Sequence, residues 1–132
     1  MNILAIDTVD FTSAVGLMID TRIKVVTYPS RERQLLAEID KLLKSKELKI
    51  TDIDGFVAHL GPGESFTGTR VGIAIINALC FALDKPSFGY CHIPEKDQKK
   101  RVLQLLKRSI NIKKCVKQTL VPVYASPAKV TL

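Results

Sequence analysis

Hydrophobic positions fall into two periods along the chain, and the change from one to the other divides it into elements. "NILAID" near the amino terminus is apolar on both faces and ends in an acid, the pattern of a short buried strand. "FTSAVGLMI" alternates, with Phe11, Val15, Leu17 and Ile19 on one side, and predicts a second strand. "RIKVVTY" follows after Asp20-Thr21, a tight reversal, so the first three strands form an antiparallel meander. Pro29 and Ser30 then stop the strand, with Ser30 as the N-cap of a helix ending near Lys46. Leu35, Leu36, Ile39, Leu42 and Leu43 lie on one stripe of that helix. "TDIDGFVAHL" predicts a fourth strand. The glycine-bearing loop "GPGESFTGTR" leads into a second helix running to about Leu83, and "DKPSFGYCHI" holds a turn and a fifth strand. The order βββαβαβ predicts an α/β fold, a five-stranded mixed sheet covered by helices.

Beyond Pro94 the pattern changes. Residues 96–110 predict an amphipathic helix whose apolar arc is Val102, Leu103, Leu105, Leu106 and Ile110. Lys100, Arg101, Lys107 and Arg108 are expected on its exposed face. The chain ends in "TLVPVYASPAKVTL", whose prolines allow an edge strand or an extended tail. We therefore expect a single domain over residues 1–132, with a core at 1–94 and a basic helix and tail at 95–132.

Charge sharpens this division. The net charge of +7 is concentrated in residues 96–117, which hold nine basic residues and one acid. No aromatic residue interleaves with those lysines, so any nucleic-acid contact there is expected to phosphate and not by base stacking. "MNILAIDT" meets an acid at once, unlike a signal peptide, and the longest apolar run, Val71–Leu83, is shorter than a membrane span of about 20 residues. A soluble cytoplasmic protein without membrane contact is the expectation. Cys80, Cys91 and Cys115, with His59 and His92, have no metal-ligand spacing and predict no metal and no cofactor.

The loop at Gly61–Arg70 does not match a nucleotide fingerprint. A P-loop needs lysine and a hydroxyl residue after its last glycine, but Thr69 and Arg70 follow Gly68; the sixth position of a dinucleotide fingerprint is Phe66. Packing explains the glycines better. Gly68 and Gly72 are four apart on one helical face near Ile75, Ile76 and Leu79, and glycine inside a helix costs about 1 kcal/mol against alanine. Only Asn77 is polar between Val71 and Leu83, so this helix should be covered on both sides, by other helices of the chain or by another protein.

"ILAIDT", "TDIDGFVAHLGPGESFTGTRVGIA" and "PSFGY", and more faintly "VPVYASPAKVT", resemble the TsaB family. The resemblance covers residues 1–90 and part of the last dozen. It implies one half-domain of the actin-like ATPase and sugar-kinase class, also described as RNase H-like. It implies a non-catalytic scaffold subunit in the biosynthesis of threonylcarbamoyladenosine in tRNA. The partner would be a TsaD-like paralogue, bound as a heterodimer through the two helices of the amino-terminal half. On that basis Gly68, Gly72, Ile75, Ile76, Leu79, Leu35 and Ile39 are the expected interface. Lys100, Arg101, Lys107 and Arg108 are candidates for tRNA phosphates, and the tRNA is otherwise reached indirectly. A TsaE-like ATPase fits the assembled complex, and the chain alone is expected to pair with a second copy. Two alternatives remain: a basic tRNA-binding accessory module, and a partner-dependent nucleotide binder using Asp7 and Thr8 of the hairpin "AIDTVDFTSAV". The chain departs from the family pattern in Glu64, an extra residue in the GPG loop, in the lack of a histidine in "SRERQLL", and in its length.

Overall fold

In the computed structural model, which describes residues 1–30, 34–109 and 118–124, every expected strand forms. They are β1 (Asn2–Asp7), β2 (Thr12–Ile19), β3 (Arg22–Pro29), β4 (Gly55–His59) and β5 (Ser87–Tyr90). Asp20 takes a left-handed conformation (φ 55°) in the β2–β3 turn. Its carboxylate and amide both bond to Met1, which ties the turn to the start of β1.

The sheet order is β3-β2-β1-β4-β5. β1, β2 and β3 pair antiparallel, while β4 runs parallel to both β1 and β5. Such a sheet needs helices on its faces, and the period of two tells which side chains meet them. Leu4, Ile6, Val15, Leu17, Phe56 and Ala58 point to one face, packed with residues of α1 (Gln34–Ser45) and α2 (Phe66–Leu83). Ile3, Ala5, Ala14, Met18 and Val57 point to the other, where Val102, Leu105 and Leu106 of α3 (Gln98–Arg108) cover them. That two-sided burial is why β1 reads as apolar throughout. α3 thus covers the face of the sheet opposite α1 and α2.

Some expectations need correction. Phe11 is not part of the inner face of β2; it precedes the strand and is exposed. Ser30 stays an expected N-cap only, because the first turn it would cap, residues 31–33, lies outside the described residues. Its hydroxyl bonds Ser13 Oγ and donates to Asp10 O, closing the β2–β3 hairpin against the β1–β2 turn. The chain between Ser30 and Gln34, where the helix start was expected, lies outside the described residues, as do Ile110, Cys115 and residues 125–132. The described part of the tail, 118–124, has no regular secondary structure and lies beside α2. Asn77, the lone polar residue of the apolar run, donates to Leu120 O and accepts from Leu120 N. Val123 N donates to Leu60 O, and Tyr124 meets the ring of Phe66 edge-on at 5.0 Å.

Candidate partner interface

α2 begins where the chain leaves the carboxyl end of β4. Ser65 is its N-cap, accepting from Gly68 N at 2.9 Å, and Asp84 ends it in a left-handed conformation. Thr69, Gly72, Ile73, Ile76 and Cys80 form the inner stripe, at the spacing of successive helical turns. A Cβ on Gly72 would collide with Thr8 Oγ1 and crowd Ile6, and one on Gly68 would collide with Thr8 O. Thr8 Oγ1 in turn donates to Gly68 O at 2.8 Å. The glycines therefore admit the β1–β2 turn of the same chain. This corrects the expectation that Gly68 and Gly72 serve a contact with a partner helix.

The remaining expected interface residues divide in the same way. Leu35, Ile39 and Ile76 are buried in the core, whereas Ile75 and Leu79 are partly buried against it. Solvent meets a different set: Val71, Ala74, Ala78 and Phe81 along the outer stripe of α2, Phe66 at its start, and Leu36 on α1. Phe81 is 92% exposed. A groove of about 430 Å³ beside α1, walled by Leu36, Ile39, Leu43, Leu48, Ile50 and, from α2, Leu79, with Asp40, Lys44 and Lys49 also lining it, shares Leu36 with this surface. The expected cover on both sides is thus only partly supplied within the described residues, by the sheet inside and by residues 118–124 along one flank.

On the other face of the sheet, α3 starts at its N-cap Asp97, which accepts from Lys100 N. Lys99, Lys100, Lys107 and Arg108 are exposed. Arg101 is not, and its assignment to the phosphate-binding face is corrected. Only 8% exposed, it donates from Nε to Asp7 Oδ2 at 2.9 Å and from Nη2 to Asp10 Oδ2 at 2.6 Å. Burial raises the Asp7 pKa, while His59 and Arg101 pull it down. Burial in turn lowers the pKa of His59, outweighing an upward pull from Asp7. Its Nδ1 accepts from Gly61 N, so the ring proton is on Nε2, and that atom and Asp7 Oδ1 have no hydrogen-bond partner among the described residues. The carboxylate of the hairpin is thus already engaged by an internal cation.

A family model described as TsaD, tRNA N6-adenosine threonylcarbamoyltransferase, matches residues 28–95, just over half of the chain. The tRNA threonylcarbamoyladenosine biosynthesis protein TsaB of Bacillus subtilis (strain 168) is 31% identical over 90 residues, 65% of this chain and 39% of that protein. The protein of the same description from Haemophilus influenzae is 33% identical over 89 residues, 65% of this chain and 37% of its own length. The structure of YeaZ from Pseudomonas aeruginosa superposes with a TM-score of 0.64 at 27% identity, over 68% of this chain and 43% of that one. The chain belongs to the TsaB family.

It spans about two-fifths of the length of these TsaB relatives, and its mixed sheet is a single actin-like, RNase H-like half-domain. Against the TsaB pattern, the extra Glu64 is accommodated locally. Its amide donates to Asp10 Oδ1 at 3.1 Å and the next amide, Ser65 N, to Val9 O at 2.7 Å. Both bonds end on the β1–β2 turn, the one that Arg101 grips.

Proposed function

We propose that this chain is a non-catalytic scaffold subunit in threonylcarbamoyladenosine biosynthesis, docking a TsaD-like paralogue through the outer faces of α1 and α2. One observation carries the reading. α2 has a fully packed inner stripe and still presents Val71, Ala74, Ala78 and Phe81 to solvent, a surface of the kind that marks a protein contact. The TsaB relatives supply the pathway by their names. The scaffold role is supported by the engagement of Asp7 by Arg101, which leaves the hairpin poorly suited to hold a nucleotide phosphate. The tRNA and a TsaE-like ATPase would be reached through the paralogue, in the cytoplasm.

Phe81→Asp combined with Val71→Asp tests this. Both side chains are exposed, so the melting temperature should stay close to wild type, surface changes costing within about 0.5 kcal/mol. Affinity for the paralogue, measured by calorimetry, should fall about 30-fold or more if these are central contacts. An unchanged affinity places the interface elsewhere.

A second reading is favoured by the α3 face, where Lys100 and Lys107 are two turns apart and Arg108 lies over the Tyr90 ring at 5.6 Å. It is that this face neutralises tRNA phosphates in the assembled complex. Replacing Lys100, Lys107 and Arg108 with alanine should then flatten the plot of log affinity against log salt by roughly 0.7 to 0.9 per lost contact. Equal slopes for the two complexes would leave the face merely solvated.

A further inference from the structure

We infer that Arg101 is a positioning residue for the partner-facing helix: through the β1–β2 turn, it sets the amino-terminal end of α2. The two helices lie on opposite faces of the sheet, and the turn is where their bonds meet. On the α3 side Arg101 holds Asp7 and Asp10, and Gln98 Nε2 donates to Thr12 O at 2.5 Å. On the α2 side the same turn accepts Glu64 N at Asp10 Oδ1 and Ser65 N at Val9 O, and Thr8 Oγ1 donates to Gly68 O. Asp10 is the pivot, with one oxygen on Arg101 and the other on Glu64 N. Its side chain is 22% exposed, so without the guanidinium it can turn to water and leave the Glu64 amide without its acceptor.

The geometry needs arginine in particular. Its planar fork donates to two carboxylates at once from Nε and Nη2, whereas a lysine ammonium is a point charge on a flexible stem. Arg101→Lys should keep the charge among the carboxylates and lose the simultaneous grip.

The inference deepens the partner reading above, and the experiment separates the two. Amide exchange is followed residue by residue in the whole chain for wild type, Arg101→Lys, Asp10→Ala and the double variant, with affinity for the TsaD-like paralogue measured in parallel. Exchange at Glu64, Ser65 and Gly68 should quicken by about tenfold in each single variant, with α1 and the centre of the sheet unchanged, and the double variant should be no worse than Asp10→Ala. Paralogue affinity should fall by about the same factor and with the same non-additivity. Uniformly faster exchange over the whole domain, unchanged exchange at residues 64–68, or additive effects would overturn the assignment. So would altered exchange at 64–68 with wild-type affinity. If Arg101→Lys does not fold, Asp10→Ala alone decides. A wild-type chain that does not bind the paralogue sinks the partner reading, while the exchange data still decide whether Arg101 positions α2.

Discussion

Gly72→Leu is expected to unfold the chain or leave it only marginally stable, before any partner is added. The position faces Thr8 and Ile6 across the contact between α2 and the β1–β2 turn, and even a methyl group there would collide with Thr8 Oγ1. Two effects oppose each other in the milder Gly72→Ala. Helix propensity favours alanine by about 1 kcal/mol, whereas overpacking a close contact costs about 1–3 kcal/mol. The clash involves the start of a turn whose hydroxyl is already committed to Gly68 O, so the neighbour cannot simply move away. Alanine should therefore lower stability by about 1 kcal/mol net, and leucine by several times as much. Thermal melting of the two variants measures this. Adding Thr8→Ala to Gly72→Ala should recover much of the loss, because it removes the atom that collides. A Gly72→Leu chain that melted like wild type would show that the helix can step away from the turn. A glycine serving only a partner would act on affinity and leave melting alone, so the pair of measurements separates the two roles.

The succession of strands and helices was legible because β1 and β2 carry apolar residues on both faces and α1 carries a 3.6-residue stripe. What failed was the reading of sides on α2 and α3. On α3 the period itself held the answer: Arg101, Val102, Leu105, Leu106 and Ser109 are the buried positions, and Arg101 is one helical turn from Leu105. Its charge, set among lysines, argued for the surface, and only the carboxylates of β1 and its turn, more than 90 residues away, explain its burial. α2 posed the opposite problem. With Asn77 its only polar residue between Val71 and Leu83, periodicity does not distinguish inner from outer stripe, and gives no sign that Gly72 faces inward and Phe81 outward. The clue was available in composition: in a helix apolar all round, small residues at i and i+4 mark the side where backbone comes closest, and in a sheet-backed helix that is the sheet. The partner of Asn77 lies 43 residues on, in a segment with no periodic signal.

Arg101→Met should cost about 3–5 kcal/mol at neutral pH, the usual consequence of removing one member of a buried ion pair. Asp7 is fully buried, and Arg101 is the cation that bonds it; methionine would fill much of the same space and supply no charge. The dependence on pH follows from the direction of the Asp7 shift. Burial already raises its pKa above the ordinary carboxylate value, and losing Arg101 removes an opposing pull, so the folded variant should hold its proton to still higher pH. A raised folded-state pKa contributes stability that is fully present below the unfolded value, 3.8, and is lost as pH rises through the folded one. The gap between variant and wild type should therefore be widest at neutral pH and narrow on acidification. His59 works against this in both chains, because its lowered pKa makes stability fall as pH drops below the ordinary histidine value. The useful quantity is thus the difference between the chains, taken from urea unfolding at pH 7 and pH 5. Asp7→Asn in the Arg101→Met background should restore most of the lost stability at pH 7 and abolish the pH dependence of the gap, since no buried carboxylate is left to protonate. A gap that stayed constant with pH, or that Asp7→Asn failed to close, would mean that Arg101 acts through packing and not as the counter-ion of Asp7.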